Sequence, residues 1–385
     1  MPFWVGDLSG TLTFSRKGFS SQRCGKAVKQ ILAETRGTLV CSILAGSWRH
    51  THTHTLGISE TQLNEVAPLL YGSGGAALGW WRVRNTDLRD SPSADVLHEA
   101  YRLQTLQSAI HEEKIKTVFR LLRESSIEPI LVKGWAAAGL YPDRALRPYC
   151  DIDLCVRPSD YKVAAALLAG PEAAGCWVDL HHGFDELKGR KFDQLFERSR
   201  LVDLGDDYVR VLSAEDHLAL LAIHLLKHGA WRPLWLCDIG AAVESLPPNF
   251  SWDVCLGRKK PRADWIVSAI GLANRLLAAR IDHLPIAGEA NRLPKWLVAA
   301  VLKQWQNPYA IDQPPMRHPA PMANYLRHPS GLLNGLKQRW PDPILATISV
   351  NGKLSNMPRL PYQLVNCISR VARFTVRLKT LNENF

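Results

Sequence analysis

The sequence predicts an α+β protein, a few short strands set among many helices. Three observations carry that prediction. Residues 127–132, 151–156 and 176–184 are apolar or alternating runs that stop at polar or glycine-containing clusters, the pattern of strands. Residues 93–125, 213–228, 263–280 and 294–306 carry apolar side chains at three- and four-residue spacings, the pattern of helices that bury one face. With 46% hydrophobic residues and thirteen tryptophans, the 385-residue chain has the material for a sizeable interior.

The formal net charge is +11 and the isoelectric point about 9.3. That balance favours polyanionic ligands, whether triphosphate, nucleic acid or membrane surface, without choosing among them. Eight cysteines are scattered with no Cys-x-x-Cys pair, so neither a zinc ribbon nor a dithiol redox motif is indicated. Several lie in apolar runs, as reduced thiols packed like small hydrophobes do. The first twenty residues hold Asp7, Arg16 and Lys17 and no long apolar core, and no run reaches the length of a membrane span. A cytoplasmic protein without a transmembrane segment is the expectation.

In chain order, residues 1–92 are weakly patterned. The runs 11–14 and 38–44 are expected as short strands. His50, His52 and His54 alternate, which fits a polar strand or loop better than a metal site. Tyr71-Gly72-Ser73-Gly74-Gly75 lacks the Lys-Ser/Thr of a phosphate loop and is expected as a linker.

Residues 93–212 form the next unit. Ser93 is expected to cap a helix reaching about Ser125, with a break near His111. A strand ending at Val132 follows, then a tight turn at Lys133-Gly134, a short helix, a basic loop and the strand 151–156. Ser159 caps a further helix that Gly170 stops. The polar stretch 185–205 is expected as loop, and Tyr208–Leu212 as an edge strand. Residues 213–306 are helical, opened by the capping-box pattern Ser213-x-x-Asp216. Residues 307–385 combine a Pro-rich linker with a basic amphipathic helix over 362–381, in which Leu364 and Ile368 belong to the apolar stripe. A helix packed on the bundle is the commoner reading of that pattern, ahead of a contact with nucleic acid or an anionic membrane surface.

The chemistry concentrates at 131–156. Strand side chains alternate, so Asp151 and Asp153 point one way and Ile152, Leu154 and Val156 the other. Two carboxylates about 7 Å apart on a rigid strand suit a hard cation such as Mg²⁺. A helix start at Gly134 suits phosphate. Asp179 and His181 share one face of the strand 176–184. If that strand pairs beside 151–156, three carboxylates converge, enough for two metal ions about 4 Å apart. Arg144 and Arg147 flank the acidic strand and offer planar donors to phosphate, or partners to nearby acids. His217, His224 and His228 fall on one helical face; core or cleft-lining histidines fit them better than zinc, with His224 and His228 near the base or acceptor and Asp238 as a tether or a helix cap.

These residues resemble a family. Lys133-Gly134, Tyr141-Pro142-Asp143, Arg147-Pro148 and Asp151-Ile152-Asp153-Leu154 are similar to nucleotidyltransferases of the polymerase β type, and most of all to a bacterial uncharacterised nucleotidyltransferase family. The likeness continues through Val178-Asp179-Leu180-His181, Leu212-Ser213 with Asp216-His217, His224 with His228 and Trp231, and Trp235 with Asp238. Arg339 to Pro343 and Arg359 to Gln363 add fainter matches. It is good over about 95–245, fainter beyond, and absent over 1–60.

The resemblance implies a small mixed sheet flanked by helices, with Asp151, Asp153 and Asp179 as metal ligands. It also implies Mg²⁺, two ions, with a nucleoside triphosphate such as ATP as substrate. Lys133, Gly134, Arg144, Arg147, His181, His224 and His228 are then the nucleotide-binding candidates. The wider superfamily has Gly-Ser or Gly-Gly where this chain has Lys133-Gly134, so Lys133 is expected to put a charge directly on a phosphate. The acceptor is open: small molecule, peptide, protein or tRNA. Two other readings stay open, a non-catalytic module that binds nucleotide, RNA or peptide, and a kinase-like phosphoryl transfer.

Overall fold

The computed structural model describes residues 36–51, 56–306 and 340–382. The expectations for 11–14, His52, His54, the Pro-rich linker and Arg339 lie outside the described residues.

Residues 36–44 are helical, not the expected strand. An unbroken apolar run serves a buried helix as well as a buried strand. Here Leu39, Val40, Ile43 and Leu44, at helical spacing, all enter the core. Helix α1 (Glu60–Ser73) starts with a capping box between Ser59 and Gln62. It ends at Gly74, whose φ of 77° is left-handed. The glycine-rich stretch expected as a linker is therefore a helix end and the corner into α2 (Ala76–Val83).

Helix α3 (Pro92–Glu124) runs 33 residues unbroken, and its cap is Ser91, two residues before the expected Ser93. After Pro92 its sequence holds neither Gly nor Pro, so nothing at His111 interrupts the hydrogen-bond ladder. Its first half packs on α1 and α2; its second half lies under the sheet.

The sheet has five strands: β1 (Ile130–Val132), β2 (Ile152–Cys155), β3 (Val178–His181), β4 (Arg200–Leu204) and β5 (Asp207–Val211), in the order β3-β2-β1-β5-β4. β1 is antiparallel to β2 and parallel to β5, β2 is parallel to β3, and β4 is antiparallel to β5. The sheet is thus mixed, and the protein α+β. Two expectations are corrected here. The stretch 185–205 is not loop: it holds the helix Phe192–Arg198 and strand β4. Strand β5 is not an edge, because β4 covers it.

Alternation along the strands divides two cores. Leu131, Ile152, Leu154, Val209 and Val211 face a smaller core with Ile115, Phe119 and Leu122 of α3. Ile130, Val132 and Cys155 face a larger core built from the amino-terminal helices and the helical half of the chain. Its main walls are three helices, α4 (Ala214–Lys227), α5 (Pro233–Glu244) and α6 (Lys260–Leu277), which pack on one another. Ser213 caps α4 by accepting from the Asp216 amide. Helix α7 (Leu360–Asn382) closes the described chain; Leu364 and Ile368, expected on a packed stripe, are exposed. Among the described residues, no helix is long and apolar enough to cross a membrane.

Candidate active site

Asp153 sits between Ile152 and Leu154, so it projects from the face opposite those two, toward α4 and α5. Parallel pairing of β2 and β3 sets Asp153 beside Asp179 and Cys155 beside His181. The result is one close set of donors: Asp153, Asp179 and His181 offer ligand atoms all within 4.8 Å of one another. The imidazole Nε2 of His181 is 3.2 Å from Asp179 Oδ2 and 3.5 Å from Asp153 Oδ1. That nitrogen is buried and has no well-directed hydrogen bond. Asp153 is almost fully enclosed, whereas the Asp179 side chain is 56% exposed. The close set does not include Asp151, which stands one residue before β2 at the open rim.

Lys133 follows β1 directly and has φ 52° and ψ −122°, a strained backbone for a residue with a side chain. Its Nζ donates to Asp153 Oδ1 at 2.6 Å. Burial lowers the pKa of this lysine, but Asp153, with Glu186 and Asp179, outweighs burial and raises it. Burial likewise pushes the Asp153 carboxyl up, while the His181 ring and the Lys133 charge outweigh it and hold the carboxyl below its ordinary range. Asp151 goes the other way: desolvation and then the Asp153 charge push it up. The helix after Lys133, Gly134–Ala138, has only five residues. Gly134 lies tight against the Tyr149 side chain and the Asp151 carbonyl; a Cβ there would stand 3.3 Å from Tyr149 Cβ.

The remaining candidates divide. His224 of α4 and His228, which caps its C-terminal end, have ring centroids 4.5 Å apart, and Trp235 of α5 meets both. Burial first, and then the other ring for His224, keeps both below the usual histidine range; Lys133 also acts on each. They belong to the wall beside the acids. His217 does not join them. It is buried near Asp238, Arg200 and Arg147, and burial lowers its pKa to about 4.

Arg147 is buried, and its Nε and one terminal nitrogen go to Asp238, the latter at 2.8 Å. Tyr141 donates to the same carboxylate at 2.8 Å. Asp238 is therefore neither a helix cap nor a tether for histidines; it sits inside α5 and answers Arg147. Arg144 lies over the Trp135 ring at 4.0 Å, on the α3 side, 3.8 Å from Glu112.

Sequence reasoning missed Glu186. It sits in the turn after β3, with its carboxylate 3.2 Å from Lys227 and 4.0 Å from His224, and its charge reaches Lys133. No periodic signal marks it, because it belongs to a single 3₁₀ turn, Asp185–Leu187.

A family profile described as an uncharacterised nucleotidyltransferase matches residues 64–176 and again residues 171–277, together more than half of the chain. No curated protein and no solved structure matches it. The two matched stretches contain all the strands, both acids of the close set, His181, Lys133 and the α4–α5 wall. The chain belongs to this uncharacterised nucleotidyltransferase family.

Proposed function

We propose that the protein is a divalent-metal-dependent nucleotidyltransferase that moves an NMP from an NTP to an acceptor hydroxyl or phosphate and releases pyrophosphate. The observation that carries this reading is the convergence of Asp153, Asp179 and His181 opposite Lys133, within a chain of this family.

The donor set fits a cation. Two carboxylates and a buried imidazole nitrogen without a proper hydrogen bond are what a divalent ion would satisfy. Asp153 and Asp179 would hold it, with Asp151 at the rim for a second. Mg²⁺ prefers oxygen donors, so His181 makes Mn²⁺ worth testing beside it. When bound, the ion screens the triphosphate and lowers the pKa of an attacking hydroxyl.

The protein residues do the rest. His181 and Lys133 favour the ionised form of Asp153. Asp179, exposed at the cleft, takes the proton of the acceptor as its oxygen attacks the α-phosphorus and the bond to pyrophosphate breaks. His224, His228 and Trp235 form a wall for the base or the acceptor.

The test is transfer of label from each α-labelled NTP in a cell lysate, with Mg²⁺ or Mn²⁺. Asp153→Asn should lower that transfer thousands-fold, about 4 kcal/mol of transition-state stabilisation. Unchanged transfer would overturn the assignment. Mass spectrometry of the product separates an added NMP from the added phosphate of a kinase-like reaction.

The 2.6 Å contact of Lys133 with Asp153 favours one rival, a fold kept for binding with an internal cation in place of metal. That rival predicts nucleotide binding indifferent to Asp153→Asn and no release of pyrophosphate.

A further inference from the structure

An oxyanion entering this cleft needs a cation with free donors, and the obvious candidates are engaged. Lys133 is bound to Asp153 and Arg147 to Asp238, while Arg144 lies over Trp135 on the α3 side. Arg232 is different. It precedes α5 directly, and its Nε donates to the Ser73 carbonyl at the end of α1, at 2.8 Å. Its guanidinium packs on Gly74, where any Cβ would collide with it, and lies 5.6 Å from the Trp235 ring centroid. One anchor, one floor and one aromatic wall thus fix the plane of the fork.

The two terminal amino groups of that fork have no acceptor among the described residues, and they are not sealed from solvent. Among the described residues, no carboxylate lies within 4.0 Å of them. The carboxylates whose charge reaches Arg232 are those of Asp238 and, at the site, Asp151. Burial and the neighbouring Arg147 lower its pKa to about 10, so it remains charged at neutral pH while lacking a counter-ion. A half-buried guanidinium, fixed by the Ser73 carbonyl, Gly74 and Trp235 and left with two terminal amino groups without an acceptor, matches the planar, two-oxygen geometry of a phosphoryl group.

We propose that Arg232 is a phosphate-binding residue of the cleft, its terminal amino groups taking two oxygens of a phosphoryl group presented beside Asp151. The proposal rests on the nucleotidyltransferase reading for the identity of the site, and it names a residue that reading did not use. The phosphoryl group belongs either to the tail of the nucleotide or to a phosphorylated acceptor.

The test uses inorganic pyrophosphate with Mg²⁺ and the full chain. Calorimetry should show pyrophosphate binding about 10- to 100-fold weaker in Arg232→Gln, with part of the loss recovered in Arg232→Lys. In the wild-type protein, pyrophosphate should protect Arg232 from phenylglyoxal, read by peptide mass spectrometry. That arm stands alone if circular dichroism shows Arg232→Gln to be unfolded. Protection by ATP assigns the nucleotide tail. Protection by inorganic phosphate only, with saturating ATP present, assigns an acceptor phosphate. Equal pyrophosphate affinity in the glutamine variant, or equal modification with and without pyrophosphate, overturns the proposal. NMP transfer that survives such a result leaves the enzyme reading intact; protection of Arg232 without NMP transfer sinks that reading and leaves this site standing.

Discussion

Lys133–Asp153 and Arg147–Asp238 are both enclosed pairs of a cation and a carboxylate, near enough for the Asp153 charge to reach Arg147. In the first, a flexible ammonium makes a single contact, and the carboxylate, with Asp179 and His181 close by, keeps lone pairs that no described hydrogen bond fills. In the second, a planar guanidinium grips Asp238 from two nitrogens, and Tyr141 fills another lone pair. Asp238 has no exposed surface. The difference teaches how to tell a reactive pair from a supporting one: the supporting pair is saturated, and the reactive pair has capacity left over.

Asp238→Ala should break the supporting pair most visibly. It strands a buried guanidinium and the Tyr141 hydroxyl, at a cost of about 3–5 kcal/mol in denaturant unfolding. A loss below about 1 kcal/mol would mean that Arg147 finds solvent and the pair is not locked.

The next effect concerns acid. His217, beside this pair, takes up its proton near pH 6.5 when unfolded but only near 4 when folded. Between those values the unfolded chain binds more protons, so the stability contributed by the neutral ring is complete above about pH 6.5 and is lost as pH falls toward 4. The loss amounts to at most about 3 kcal/mol. Unfolding midpoints measured from pH 7 to 4 should flatten in His217→Leu; an unchanged slope would place the titration elsewhere.

The smallest effect sharpens the contrast. Asp153→Asn, which should abolish transfer, is expected to cost no more than about 2 kcal/mol of stability, because Lys133 can turn toward solvent and the amide still accepts a hydrogen bond. A cost equal to that of Asp238→Ala would make the two pairs equivalent and remove the distinction.

The acidic strand was readable because period-2 alternation is local: Asp153 between Ile152 and Leu154 declares its own face. The pairing with Asp179 was readable for the same reason, since only one neighbouring strand carried a matching polar face. Strand β4 was hidden. Its Arg200, Leu201 and Asp203 are exposed, so neither face shows an apolar rhythm. The partner of Arg147 lies 91 residues away on another element, and no spacing rule reaches that far. Arg147 therefore read as a phosphate ligand, whereas the fold gives its guanidinium to Asp238. Arg232 was passed over because a lone basic residue before a proline looks like an ordinary helix start until the α1 terminus packs against it.

Strand β3 contributes Asp179 and His181 and, among the described residues, is paired on one side only, by β2. A margin strand is the part of a sheet most prone to fray. A cation shared between Asp153 and Asp179 would stitch that margin to its neighbour, so filling of the pocket and closure of the sheet are a single equilibrium. Amide exchange at 178–181 then becomes a gauge of occupancy that works without knowing the acceptor.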